Sequence, residues 1–346
     1  VTTLVVGPLD NLAGAIAAAA PGDKVFFTGE HPAQRITNSG TDTAFCELYS
    51  NGTGRIHSEG GAAAGNTEYG LWLDRCSYWG FRDFTVHDAA KGIVADTTTH
   101  TAFKLVEVHT TKDEGWKFRS NSHHLYLSNC AVHDTGIAAT DGVFGEGYYV
   151  GDASSNWPDP ASPDATQYIK FTNCKAWRTY GDGWDIKEGS RYVHLVGCEV
   201  DHRLGNAPAY GNQFGDTGCY TRGDYVYFEG CTIYSAPGYG FKCYDTAAIG
   251  GVVYGRNVYL KAGSATSLNL SGVGSQSDAP DGMHVYSDFS GTKDQVGGGW
   301  LANYGNLNPS TYTAPTFTPS PASSYYTAEP WPSGTGTTNP WAAFFS

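Results

Sequence analysis

Long apolar runs are what this chain most plainly lacks. The longest, LAGAIAAAA (Leu12 to Ala20), is too short to span a bilayer and has no basic flank, which argues against both a membrane span and a signal peptide. Methionine occurs once, against 45 glycines and 16 prolines in 346 residues, a balance that disfavours helical bundles and points to many turns and short elements. Basic charge is scarce too. With 21 Lys and Arg against 34 Asp and Glu, the net charge is -13, so the protein as a whole repels nucleic acid and anionic membranes, and an anionic ligand would need a local basic patch. There is no CxxC spacing to suggest zinc, no Ser-His-Asp order, no phosphate loop and no nucleotide fingerprint. The expectation is a processed, secreted, monomeric chain. Eight cysteines and the glycosylation-type triplets Asn51-Gly52-Thr53 and Asn269-Leu270-Ser271 fit secretion.

What the chain does have is a repeat hidden by insertions. FKLVEVHTTKDEGWKFRS, IKFTNCKAWRTYGDGWDIKEGS and YFEGCTIYSAPGYGFKCYD share a small-polar-Cys-x-Val pattern followed by Gly-aromatic-x-apolar. Val106 to Phe118, Phe118 to Cys130, Cys174 to Ile186, Ile186 to Cys198, Cys219 to Cys231 and Cys231 to Cys243 are each 12 residues apart. One coil of two such steps, carrying two stacked apolar columns, predicts a parallel β-helix with rungs ~4.8 Å apart. The longer steps, Cys130 to Val150, Val150 to Cys174 and Cys198 to Cys219, mark insertions such as SSNWPDPASPD (Ser154 to Asp164), placed along one face as in other repeat proteins. The N-terminal LDNLAGAIAAAAPGDKVFF predicts an amphipathic helix capping the open end, followed by a strand. The expected organisation is one all-β solenoid domain over 1–302, cap included, with a Pro/Ser/Thr-rich tail over 303–346 packed on it.

Alternation along each strand sets the outward residues. If Trp184 and Ile186 face the core, Asp185 and Lys187 face out, and the same register turns out Lys117, Arg119, Tyr149, Tyr220, Lys242 and Tyr244, with Arg222 just beyond. An acidic protein thus carries a basic, tyrosine-lined stripe. Cys130, Cys174, Cys198 and Cys231 share one column and Cys219 and Cys243 another; neighbouring rungs bring cysteines to disulfide range, so Cys130-Cys174, Cys198-Cys231 and Cys219-Cys243 are geometrically open, leaving Cys46 with Cys76. A ladder of buried free thiols is the alternative. The recurring Val86-His87-Asp88 and Val132-His133-Asp134, and His123-His124, read as turn ladders, since a catalytic site is needed only once.

Three motifs fall on nearby coils: GEGYYVGD (Gly145 to Asp152), GDGWDIKEG (Gly181 to Gly189) and PGYGFKCYD (Pro237 to Asp245). In register, Glu146 stacks beside Asp182, with Asp185 on the strand that follows. Carboxylates so close repel unless a hard cation holds them, and calcium accepts such oxygen clusters; the ordinary reading is carboxylates bonded to turn amides. The helix-plus-PGD opening and the coil pattern, over roughly residues 8–300, resemble the pectin-lyase-like superfamily of right-handed parallel β-helices. GDGWD is similar to the calcium motif of family 9 pectate lyases, and GFK resembles the segment carrying their catalytic lysine. The resemblance implies calcium ligands at Glu146, Asp182 and Asp185 and a base at Lys242. Gly181 and Glu146 stand where that family has aspartates, and Lys242 lies two coils from Asp185 instead of one.

The implied activity is β-elimination on a uronic-acid-containing polysaccharide such as pectate. Removing the C5 proton requires that the adjacent carboxylate be neutralised by calcium or arginine, with lysine or tyrosine moving the protons. Lys242 with Tyr244, or Lys187 with Tyr220, are candidate catalytic pairs; Lys117, Arg119, Tyr149 and Arg222 would bind uronates, and Trp157 would stack on a sugar. A β-helical glycoside hydrolase using Asp182, Asp185 or Glu188, and a glycan-binding adhesin, are the alternatives.

Overall fold

The computed structural model describes residues 1–58, 68–137, 145–159, 162–201, 217–235, 239–243, 253–262, 268–269, 284–289 and 344; at Thr217, Asp224, Tyr225 and from 234 onward, Phe344 excepted, it describes the backbone alone. Every strand pairing among the named strands is parallel, in two sheets. The chain is a single right-handed parallel β-helix with an N-terminal capping helix.

Each coil contributes three strands, one more than the two apolar columns of the repeat imply. One coil runs Glu107–Thr111, Trp116–Arg119, His123–Ser128; the next runs Ala131–Thr135, Tyr148–Val150, Gln167–Thr172; the next Lys175–Thr179, Trp184–Ile186, Arg191–Val196. Trp116, Tyr148 and Trp184 stack down the interior with ring centroids 5.9 and 4.6 Å apart, and Phe103 and Phe171 meet them edge-on. The recurrent glycine before each aromatic has a packing cause. A Cβ on Gly115 or Gly183, and likewise on Gly92 before Ile93, would run into Val132, Val200 or Val108 on the first strand of the next coil, so the corner closes only without a side chain. Other corners use left-handed residues in register: Leu105, Asn129 and Asn173 all have φ between 52° and 54°, followed by Gly197 and Gly230 at 61°.

The cap is the helix Leu12–Ala18, whose Leu12 and Ile16 are buried in the core. Asn11 caps its start, its Oδ1 accepting from Gly14 N at 2.9 Å, and Asn38 Nδ2 donates to the carbonyls of Ile16 and Ala19 at its end. The expected tail lies outside the described residues apart from Phe344, which packs with Phe45 against Ala102 and Tyr126 and accepts from Lys104 Nζ at 3.4 Å. No helix among the described residues is long and apolar enough to cross a membrane.

The expected disulfides are not formed. Cys46, Cys76, Cys130, Cys174, Cys198, Cys219 and Cys231 are free and buried. In-register neighbours in a parallel stack point the same way rather than at each other, and the thiols of Cys130, Cys174, Cys198 and Cys231 instead each donate to the carbonyl two residues earlier at 3.6 Å. Cys219 and Cys243 do not share a column either: Cys219 pairs in register with Trp184 and Phe241, and Cys243 with Thr221. The expected histidine ladder is present but runs on strands rather than turns, and it takes in two more rungs: His57, His87, His109 and His133 stack in sequence at 5.0 to 5.8 Å and end on Trp177 at 4.4 Å. Asn51 of the first glycosylation triplet is exposed, its Oδ1 accepting from Thr53 Oγ1 at 2.7 Å; residues 270 and 271 of the second lie outside the described residues.

Candidate active site

The smaller sheet, nine strands among the described residues, carries the candidate residues in three parallel rows. The central row is Lys117, Tyr149, Asp185, Tyr220 and Lys242, each the register partner of the next. Beside it, Arg119, Lys187 and Arg222 follow Phe118, Ile186 and Thr221 in that register. On the other side, the residue before each corner glycine forms an acid row of Glu114, Glu146 and Asp182, linked by Gly115 N to Glu146 O (2.9 Å) and Gly147 N to Asp182 O (2.8 Å). The expected stacking of Glu146 beside Asp182 is present; Glu114 was missed.

A buried threonine places each member of the acid row. Thr111 Oγ1 donates to Asp113 O (2.8 Å), Thr135 Oγ1 to Gly145 O and Thr179 Oγ1 to Gly181 O (3.0 Å), in each case the carbonyl just before the acid. Two insertions, 136–147 and 151–166, flank the strand Tyr148–Val150 in sequence. The second is pinned at both ends. Asp164 accepts from Ser120 N, Asn121 N and the Thr166 hydroxyl, and Glu188 Oε1 accepts from Ser154 N and Oγ at 2.8 and 2.7 Å.

The basic stripe of the sequence reading is a network of paired charges. Lys117 Nζ bonds Glu114 Oε1 at 2.9 Å, and Lys91 bonds both Glu114 and Asp113. Lys187 pairs with Asp185 Oδ2, while Arg222 holds Asp185 Oδ1 at 3.2 Å and Glu188 Oε2 at 3.2 Å. Tyr149 lies between two cations, with Lys117 Nζ 4.2 Å and Lys187 Nζ 4.5 Å from its ring centroid. Arg222 lies over Tyr220 at 4.7 Å. Arg119 stands apart, bound to Asp96 at 2.6 Å and to the Tyr69 hydroxyl at 3.2 Å. Trp157 is half-buried, its indole N–H spent on Asp152 O at 2.9 Å. The side chain of Lys242 and the whole of Tyr244 lie outside the description.

Electrostatics separates these groups. Burial, then the Glu114 and Asp185 carboxylates, push Glu146 up to about 7. Burial works to raise Glu114 as well, but Lys117 and Lys91 overcome it and hold it down at about 2. Burial, reinforced by Asp185 and Glu146, drives the Tyr149 phenol far above its ordinary range, so it stays protonated, and burial pushes Tyr220 up to about 12.

The ligand set implied for calcium is not gathered. Both oxygens of Asp185 are taken by Lys187 and Arg222, Glu146 Oε2 accepts from Gly145 N at 3.0 Å, and no group of three His, Cys, Asp or Glu side chains among the described residues is arranged to hold a metal ion.

Neither known family profiles nor curated sequences match the chain. Solved structures do. An alginate lyase from Paenibacillus sp. str. FPU-7 superposes with a TM-score of 0.67 at 19% identity, covering 83% of this chain and 94% of that one. Pectate lyase Pel9A gives 0.61 at 15% identity over 82% and 74%, and a rhamnogalacturonan lyase 0.53 at 13% over 75% and 74%. What the chain shares with them is the parallel β-helix fold, a scaffold that those polysaccharide lyases use.

Proposed function

We propose that this chain is a secreted, monomeric lyase that cleaves a uronic-acid-containing polysaccharide by β-elimination. One observation carries the reading: a buried, protonated phenol, Tyr149, held between the Nζ atoms of Lys117 and Lys187. In this scheme Lys187, as free amine, takes the C5 proton of the uronate. The C4–O bond breaks, the C4=C5 double bond forms, and Tyr149 gives its proton to the departing oxygen. Lys187 then returns its proton to the Tyr149 phenolate beside it, restoring both groups. Asp185 keeps a cationic partner in Arg222 while Lys187 is neutral. Arg222 and Lys117 are the cations available to the uronate carboxylate, whose neutralisation acidifies the C5 proton. No step is routed through calcium; chelator-treated enzyme should keep its activity.

The test is ultraviolet absorbance of unsaturated uronate ends across a panel of acidic polysaccharides. Tyr149→Phe and Lys187→Gln should each slow its appearance by ~100-fold or more. An unslowed Lys187→Gln would move the base to Lys242, and loss of activity in chelator would restore a metal to the site.

A second reading rests on Glu114 and Glu146, carboxyls on adjacent rungs whose environments hold one ionised and bring the other to titrate near neutrality. That is the acid-and-base division a glycoside hydrolase needs. New reducing ends without ultraviolet absorbance, lost in Glu146→Gln, would establish it instead.

A further inference from the structure

The central row continues past Lys117 toward the N-terminus as Val94, Trp72 and Arg35, again register partner to register partner. Val94 is buried and carries no charge, so it separates two distinct clusters. In the second cluster Arg35 Nε donates to Asp74 Oδ2 at 3.0 Å, and Arg75 Nη2 reaches the same oxygen at 3.1 Å. Asp74 is 4% exposed, whereas the Arg35 and Arg75 side chains are 52% and 71% exposed. Two guanidinium groups are therefore drawn together at the surface over one covered carboxylate, leaving a local excess of positive charge on a protein of net charge -13.

The cluster is braced like a site. The Arg35 guanidinium lies 4.2 Å over the Trp72 ring, the Trp72 indole N–H donates to Asp96 Oδ2 at 2.9 Å, and Arg119 holds Asp96 Oδ1 at 2.6 Å. Tyr69 closes the edge of Trp72 at 5.5 Å and accepts from Arg119. An ordinary surface ion pair contributes little to stability and needs no such bracing. A guanidinium fixed by stacking on one face keeps its N–H edge ready for a carboxylate.

We propose that Arg35 and Arg75, set by Asp74 and Trp72, form a remote station for the carboxylate of a second uronate on the same polymer. The proposal rests on the uronate reading above. Four rungs separate Arg35 from Tyr149, ~19 Å at ~4.8 Å per rung, and one rung is close to the length of one sugar in an extended chain. The uronate held there lies about four sugars from the cleaved bond, with the polymer running along the solenoid axis.

The double variant Arg35→Gln/Arg75→Asn tests this, asparagine being chosen because position 75 is left-handed, at φ 55°. Its KM for long uronate oligomers should rise about tenfold with kcat unchanged, while short oligomers confined to the Lys117 to Arg222 floor are cut as before. Equal KM for long oligomers, or an equal rise for short ones, would overturn the station and leave the lyase reading intact. If the wild type makes no unsaturated product, retardation in gels containing polygalacturonate decides, each protein being compared with its own migration in a gel without the polymer because the double variant carries two fewer positive charges. Weaker retardation of the double variant than of wild type upholds the station without the lyase, and equal retardation removes it. Thermal melting checks the fold, and either single variant serves if the double does not fold.

Discussion

Replacing Gly115 by alanine tests the packing that holds the acid row in place. The added methyl would overlap the buried Val132 side chain, 3.0 Å from Gly147 O and 3.2 Å from Thr135 Cγ2. Overpacking of this kind costs about 1–3 kcal/mol. Val132→Ala alone removes two methyl groups from the core and costs about 2 kcal/mol. If the clash is with Val132, the double variant should cost at least ~1 kcal/mol less than the sum of the singles, since the alanine fills space the valine vacates. Gly92 is the contrast. There the methyl would meet Val108 but also the backbone carbonyl oxygen of Gly115, which no side-chain truncation removes. Gly92→Ala with Val108→Ala should therefore be additive or worse. Urea titrations followed by tryptophan fluorescence measure both cycles. Gly115→Ala within ~0.5 kcal/mol of wild type, or equal coupling in the two cycles, would refute the corner-packing argument.

Three further outcomes follow from the same geometry. Glu146 is raised from 4.5 to about 7 in the folded chain, so its ionisation opposes folding above about pH 7 and costs nothing below about pH 4; Glu146→Gln should gain about 3 kcal/mol at the higher pH relative to its effect at the lower, and a pH-independent effect would contradict this. His133 is raised above 6.5, its bonds to Asp134 and Glu107 outweighing burial, so its contribution is present below that value and lost as pH rises through the folded pKa; His133→Asn should cost more at about pH 6 than at about pH 9 in denaturation experiments. Alkylation of unreduced, denatured protein should label Cys130, Cys174, Cys198 and Cys231, and mass spectra with these unlabelled would restore the disulfides.

The central row was legible because alternation and the Gly-aromatic landmark fix the register without knowledge of contacts. Lys117, Tyr149, Asp185, Tyr220 and Lys242 align as spacing implies. Glu114 escaped notice because its segment, TKDEGW, lacks the paired aspartates of GDGWD. The signal that finds it is a threonine three residues before an acid-Gly-aromatic triplet, shared by Thr111 and Thr179; Thr135 makes the same bond across an insertion. Charge pairing was not legible. Alternation says that Lys187 faces outward, not that Asp185, two residues before it, bonds it there. Nor does rung spacing say which way a thiol points, which is why in-register cysteines stack without bonding. The third strand of each coil was hidden because Leu125 and Leu127, or Val193 and Leu195, are short apolar alternations without a landmark residue.

The helix Leu12–Ala18 has a consequence for how copies of this molecule meet. A parallel β-helix ends in a rung of unpaired amides and carbonyls, a template on which another copy could add coils in register. Leu12 and Ile16 cover the apolar interior at that end, and Asn38 occupies the last helical carbonyls. The cap is therefore a stop signal as much as a stabiliser: a chain stripped of residues 1–20 would lose little of its groove and gain an end able to seed a fibre.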